Sequence, residues 1–232
     1  MTTETARVAA CHELIRSDII RGRWIPGQKL RAAVLADTYG TSTTVIREAL
    51  TRLAGEKFLV IEPNRGFSVP ALSLPYLRDL TEVRCRSDGL ALELAIERGD
   101  LKWESDLMAA HYQLSKIPRR REDDPELVAP QWVEAHHAFH ATLLRGCDVP
   151  LLIALARELS DSTELYRRWA ATTQLSSSRD VEAEHQAILE ATLARDAPLA
   201  TRLLREHYER TVAVILAGGL LAHAPDGSTR QK

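Results

Sequence analysis

The chain has 232 residues, of which 45% are hydrophobic and 27% are charged, and its formal net charge is −2. This is the composition of an ordinary soluble globular protein, and the length favours two compact units over one. No apolar run approaches the roughly 20 residues that a membrane-spanning helix needs, so we expect no membrane partner. The first residues lack the basic start and apolar stretch of a secretory signal, which predicts a cytoplasmic protein.

Charge is distributed unevenly along the chain. Up to residue 72, ten Lys or Arg accompany seven Asp or Glu, which leaves +3 there and −5 over the rest. A mildly basic N-terminal part on an acidic body is consistent with DNA binding confined to that part.

Helical spacing of apolar residues and turn chemistry predict three helices at the N-terminal end of the chain. Gly40 is suited to closing the second helix, and Ser42 or Thr43 is suited to opening the third, which ends at Gly55. The predicted helices cover residues 7–21, 32–39 and 43–55.

Two β-prone runs follow, at residues 58–61 and 67–69. Between them stands Pro63-Asn64-Arg65-Gly66, which has the residue types of a hairpin turn. Three helices followed by a hairpin predict a winged helix-turn-helix domain over residues 1–72.

Everything beyond a linker at residues 70–75 has helical character, so the predicted fold class is mainly α. We expect an all-helical bundle over residues 73–222 and a disordered tail over 223–232. The predicted helices of the bundle cover residues 75–98, 102–117, 130–145, 150–169, 180–194 and 197–221.

The helix-turn-helix segment carries a recognisable motif. Residues 40–53 read GTSTTVIREALTRL, after PGQKL at 26–30 and LA at 35–36. This pattern resembles the GntR family of bacterial transcription regulators.

The resemblance implies that the third helix enters the DNA major groove with its N-terminal side chains towards bases and phosphates. Ser42, Thr44 and Arg47 occupy that end. Arg47 is the expected base reader, because arginine can bond guanine through two donors. An ion pair of Arg47 with Glu48 or Glu56 on an exposed helix is the alternative.

Further DNA contacts are expected outside the third helix. The resemblance places the wing tip in the minor groove, and Asn64, Arg65 and Gly66 occupy that tip. Arg31 and Arg52 are candidates for phosphate contacts. The family often has arginines at two positions that are Thr43 and Ala33 here, so the operator sequence does not follow from the resemblance.

Residues 75–221 resemble the C-terminal FCD domain of the FadR subfamily. The matching segments are EVRCRSDGLA at residues 82–91 and HHAFHATL at 136–143. In metal-binding members the ligands include the last histidine of the second segment and two histidines on later helices. The resemblance therefore implies a metal site, with the ligands His136, His140, His185 and His207.

The spacing of His136 and His140 supports a shared site, because residues four apart project from one face of a helix. Imidazole suits late divalent metals and leaves coordination positions for water or a carboxylate. The family normally has Asp where this chain has His136, which favours Zn²⁺ or Ni²⁺ over Mn²⁺ or Mg²⁺. The alternative is a hydrogen-bonded polar pocket without metal.

Arg84 lies on a helix that lines the pocket in the family, so it is the candidate contact for a small carboxylate effector. A salt bridge to Asp88, one helical turn later, is an equal alternative.

These features predict a homodimeric regulator that binds a two-fold symmetric operator in double-stranded DNA. We expect it to be a repressor that leaves the operator when a small organic acid binds at a metal-containing pocket. A metal-ion sensor without an organic effector is the alternative. A metal-dependent hydrolase with Glu134 or Glu182 as base is less favoured, because it leaves the helix-turn-helix motif unexplained. We therefore expect a protein that is not an enzyme.

Overall fold

The computed structural model of the chain describes residues 3–20, 22–62, 66–71, 73–123, 128–170 and 179–217. These residues form two compact units. The first consists of the described residues up to Ser73 together with Glu164–Arg168, and the second begins at Leu74. Both are mainly helical, which confirms the predicted fold class.

Three helices and a small sheet are described in the first unit. Their order is α1 (Thr3–Ile20), β1 (Lys29–Leu30), α2 (Ala32–Tyr39), α3 (Thr43–Gly55), β2 (Val60–Glu62) and β3 (Gly66–Ser68). The bounds of α2 and α3 are those that the sequence predicts. Helix α1 begins four residues earlier than predicted, because its first turn is polar and gives no periodic signal.

A tight turn joins α2 to α3. Gly40 has a left-handed backbone (φ 62°), and its N–H donates to the carbonyl of Ala36. Glycine adopts this conformation without the strain that a side chain would add. The Oγ of Ser42 then accepts from the N–H of Val45 at 3.3 Å, which caps the start of α3. Turn and cap together fix the direction in which α3 leaves α2.

The three strands form an antiparallel sheet with β3 in the centre, in the order β1-β3-β2. The sequence gives no signal for β1, because two residues are too short for an alternating pattern. Strand β2 starts two residues later than predicted, since Phe58 and Leu59 are both buried and do not alternate.

The apolar core of the first unit is formed largely by α1, α2 and α3. Its largest side chains, each less than 2% exposed, are Ile15, Ile19, Leu35, Ile46, Leu50 and Leu53. Burying one such side chain contributes about 1.5–3 kcal/mol. Because the buried face of α3 is anchored in this core, its opposite face is left for contacts outside the unit.

Six helices are described from Leu74 onwards, and all of them except Glu164–Arg168 of the fourth belong to the second unit. They are α4 (Leu74–Arg98), α5 (Leu101–Lys116), α6 (Pro130–Arg145), α7 (Pro150–Ala170), α8 (Val181–Leu193) and α9 (Ala197–Ala217). Each described helix end lies within one residue of its predicted position, except the end of α9. The predicted end at residue 221 and the predicted disordered tail both lie outside the described residues.

Local chemistry explains several of these helix starts. Asp100 accepts from the N–H of Trp103 at 2.8 Å and caps α5, and Asp180 caps α8 through the N–H of Ala183 at 2.9 Å. Helix α6 starts with Pro130, whose missing N–H costs nothing in the first turn.

Helix α6 contributes fully buried side chains to the core of the second unit. Phe139 and Leu143 are fully buried, and they lie on the same helix as the buried side chains of His136 and His140. Polar imidazoles are therefore interleaved with apolar side chains on one helix face. None of the described helices is both long and apolar enough to cross a bilayer.

Candidate functional site

The first turns of α3 present polar side chains to solvent. Ser42, Thr44 and Arg47 are exposed, whereas Ile46 and Leu50 are buried. This separation follows from the helical period, because the buried positions recur every three to four residues. The predicted DNA contacts of α3 thus share an accessible helix end, although the Ser42 hydroxyl also serves as a cap.

The acidic side chains near Arg47 have other partners. Glu48 pairs with Arg52 at 2.6 Å, and Glu56 pairs with His12 at 2.8 Å. Within the described residues, no carboxylate pairs with Arg47. Its guanidinium is therefore available to a ligand, whereas Arg52 would have to exchange an exposed pairing with Glu48 for a phosphate. Such exposed pairs contribute only about 0.3–0.5 kcal/mol to stability, so this exchange costs little free energy.

The remaining predicted DNA contacts are only partly described. Arg31 is exposed at the start of α2. Gly66 is exposed and has φ 86°, and open space surrounds the position that a Cβ would occupy. Asn64 and Arg65, the other predicted wing residues, lie outside the described residues.

The four predicted metal ligands come together in the second unit. His136 and His140 lie on α6, His185 on α8 and His207 on α9. One ligand nitrogen of each lies within 4.8 Å of the others. All four residues are buried, with exposed fractions of 2–4%. Three helices thus place four imidazoles around one point.

The chemistry of this histidine cluster fits a metal ion. The Nε2 of His185 is buried and has no hydrogen-bond partner among the described residues, which costs free energy unless a ligand satisfies it. Burial, and next the neighbouring His207, hold the pKa of His185 well below its ordinary value, so its imidazole is neutral. Neutral imidazole is the form that binds divalent metals.

Aromatic and charged side chains surround the histidine cluster. The indole of Trp132 stacks on His136 with a centroid distance of 4.7 Å. The Nδ1 of His207 lies 2.8 Å from the Oε2 of Glu184. Burial alone would raise the pKa of Glu184, but hydrogen bonds from Arg179 and His207 hold it well below its usual range. A carboxylate bonded to one of the four histidines is thus ionised.

Arg84 lies in a buried polar network beside the histidine cluster. Its Nε donates to the Oδ2 of Asp88 at 3.1 Å, and its guanidinium lies 4.1 Å from the ring centroid of Tyr208. Tyr208 also donates its hydroxyl to Asp88 at 2.9 Å, and its ring centroid is 6.0 Å from that of His140. The salt bridge considered from the sequence is present, while an effector contact by Arg84 stays a prediction.

Comparisons with known proteins match both units. Residues 8–69 match the gntR family of bacterial regulatory proteins, and residues 79–210 match the FCD domain. The chain belongs to the GntR family. The resemblance expected from the helix-turn-helix motif and from the histidine-containing segments is confirmed.

Two curated relatives extend the GntR match over most of the chain. The HTH-type transcriptional repressor GlaR of Escherichia coli K12 is 32% identical over 204 residues, 87% of this chain and 92% of GlaR. The regulator BphR of Paraburkholderia xenovorans is 33% identical over 214 residues, 92% of this chain and 87% of BphR.

Solved structures share the fold. Escherichia coli McbR/YncC has a TM-score of 0.76 at 20% identity and covers 94% of this chain and 99% of its own. A GntR regulator from Rhodococcus has a TM-score of 0.72 at 20% identity, with coverages of 91% and 98%. The family matches and the curated relatives show that the chain is a DNA-binding GntR transcription regulator with an FCD effector-binding domain, and not an enzyme.

Sequence reasoning did not find three residues around the histidine cluster: Trp132, Arg179 and Glu184. Glu184 and His207 are on different helices, so no local spacing connects them. Trp132 precedes His136 by four residues, and this helical spacing is a signal that could have identified it.

Proposed function

We propose that this GntR regulator is a homodimeric repressor that a small organic acid releases from its operator, and that the histidine cluster binds a divalent metal. The convergence of four buried imidazoles, with one ligand nitrogen of each within 4.8 Å of the others, supports the metal site. The name of the relative GlaR, a transcriptional repressor, supports repression.

The proposed metal is Zn²⁺ or Ni²⁺ rather than Mn²⁺ or Mg²⁺. All four candidate ligands are nitrogens, which late divalent metals prefer, whereas Mn²⁺ and Mg²⁺ prefer oxygen. His136 stands where the family normally has Asp and so removes an oxygen ligand. Bound metal would supply a Lewis-acidic centre, which would take up a carboxylate by expanding its coordination beyond the four nitrogen ligands.

Arg84 is the proposed second contact for the carboxylate. Asp88 holds its Nε at 3.1 Å, and the Oγ of Ser160 accepts from Nη2 at 3.3 Å. A guanidinium has five N–H donors, so further donors remain for an anion. The Arg84 side chain is only about 5% exposed, and at such a buried position a charge-assisted hydrogen bond is stronger than in water.

In the N-terminal unit, residues 1–72 are proposed to read the DNA. Arg47 with Ser42 and Thr44 would contact bases and phosphates in the major groove, and Asn64, Arg65 and Gly66 would contact the minor groove. Arg31 and Arg52 would add phosphate contacts. Residues 73–222 would bind the effector and form the dimer, and effector binding would shift the dimer towards a state with lower operator affinity.

The repressor proposal is tested by DNA binding at fixed salt. An operator is selected from a genomic fragment library, and its affinity is measured by fluorescence anisotropy with metal-free protein, with Zn²⁺ alone, and with Zn²⁺ plus each member of a carboxylate panel. We expect at least one acid to weaken binding of the Zn²⁺ form by tenfold or more. A change with Zn²⁺ alone would favour the metal-sensor alternative, and no change with any acid would contradict the proposal.

A further inference from the structure

The bond between Glu184 and His207 joins α8 to α9 at the edge of the histidine cluster. Glu184 holds the Nδ1 of His207 at 2.8 Å. The Nη2 of Arg179 lies 3.2 Å from the same Nδ1, but its two hydrogens are donated to Glu184 and to the carbonyl of His207. A carboxylate can only accept hydrogen bonds, so the closer contact with Glu184 requires a proton on Nδ1. With Nδ1 protonated, Nε2 is the ring nitrogen that can act as a metal ligand.

The Glu184 carboxylate is itself fixed in position. The Nε of Arg179 donates to Oε1 at 2.8 Å, and the Nη2 donates to Oε2, so the contact is bidentate. Arg179 also donates to the Oγ1 of Thr211 at 2.9 Å and to the carbonyl of His207 at 2.8 Å. With 10% and 12% of their side chains exposed, Glu184 and Arg179 have little freedom to move.

An ion pair that only ties two helices together is the simpler explanation of these contacts. A buried ion pair is weak evidence for such a role, because desolvation offsets much of its attraction. The structural explanation also does not account for the bond to a ring nitrogen of a candidate ligand. Carboxylates in this position fix the tautomer and ring orientation of metal-binding histidines and raise their basicity.

We propose that Glu184 is a positioning residue for metal binding, which prepares the Nε2 of His207 as a ligand, and that Arg179 holds the Glu184 carboxylate in place. This inference rests on the proposed metal site. It assigns to Glu184 an effect on metal affinity, beyond any effect on the stability of the metal-free protein.

The test measures Zn²⁺ affinity of the full-length protein by competition with a chromophoric chelator. Glu184→Ala is expected to weaken binding about 10- to 100-fold, the usual loss when such a partner is removed. Glu184→Gln keeps an oxygen acceptor for Nδ1 and should fall between wild type and Glu184→Ala. Glu182→Gln, an exposed acid on the same helix, is the matched control and should bind like wild type.

Two further measurements separate positioning from a structural role. Thermal unfolding of the metal-free variants reports stability alone, and the visible spectrum of bound Co²⁺ reports the ligand field. The inference predicts an altered Co²⁺ spectrum in Glu184→Gln, the isosteric variant in which one oxygen that accepts from Arg179 is replaced by an NH2 group that cannot accept.

Wild-type affinity in both Glu184 variants, whatever their stability, would overturn the inference and leave the metal site intact. A wild-type protein that binds neither Zn²⁺ nor Co²⁺ would instead overturn the metal site itself.

Discussion

Arg47 and Arg84 are both arginines on helices, but their surroundings differ. Arg47 is exposed on α3 and has no carboxylate partner within the described part of the chain. Arg84 is 4% exposed, bonds Asp88 and stacks on Tyr208. Burial raises the pKa of Asp88, while the Arg84 guanidinium and the Tyr208 hydroxyl oppose that rise. Removing Arg47 should therefore affect DNA binding, whereas removing Arg84 should affect the stability of the fold.

Substituting Arg47 should affect DNA binding and leave stability unchanged. We expect Arg47→Ala to lose about 1–3 kcal/mol of discrimination at one base pair, or roughly 5- to 150-fold in affinity for the selected operator. The measurement is anisotropy on the operator and on single-base variants of it. Lys102→Ala, at an exposed position on α5, is the control and should bind normally. Unchanged affinity and base preference in Arg47→Ala would remove Arg47 as the reader.

Substituting Arg84 should affect stability. Arg84→Leu would leave the Asp88 carboxylate buried without its charge partner, at a cost of about 3–5 kcal/mol. Adding Asp88→Leu should restore much of the loss, because no unpaired charge then remains. Calorimetry measures both variants beside Arg86→Leu, which removes an exposed pair with Glu82 and should cost little. An Arg84→Leu protein as stable as wild type would refute this role.

Single helices were largely predictable, and the contacts between them were not. Helices α3 and α6 have the predicted bounds, because Ser42, Gly40 and Pro130 are local signals. The alignment of His136 with His140 also follows from a period within one helix. By contrast, the approach of Glu184 to His207 depends on how α8 packs against α9, and no spacing along the chain encodes it. Strand β1 has only two residues and no pattern of its own.

Alanine substitutions at Gly89, inside α4, and at Gly99, just after it, test how closely the side chains and backbone pack there. A Cβ added at Gly99 would lie 2.6 Å from the carbonyl oxygen of Ala95 and from the Cζ3 of Trp103, so overpacking should cost about 1–3 kcal/mol. Gly89 lies inside α4 with open space around it, and alanine there should stabilise the helix by about 0.5–1 kcal/mol. Calorimetric scans of Gly99→Ala and Gly89→Ala would contradict this packing if both shifted the unfolding temperature equally.

At the scale of the whole molecule, the two units are organised alike. In each unit, a buried core holds a set of polar side chains in position for a ligand. In the first unit the core fixes α3 and leaves its polar first turns exposed. In the second, three helices bury four imidazoles inside the bundle. Coupling between DNA and effector then requires that ligand binding to the FCD domain changes the population of DNA-competent protein.

The metal content of the purified full-length protein tests the proposed metal site most directly. After incubation with Zn²⁺ and removal of free metal, we predict one equivalent of bound Zn²⁺ per chain by elemental analysis. We expect a large loss in both His140→Ala and His185→Ala, and no loss in His137→Ala, a neighbouring histidine outside the cluster. Metal content that is negligible in wild type, or unchanged in both cluster variants, would contradict a metal-binding site at these four histidines.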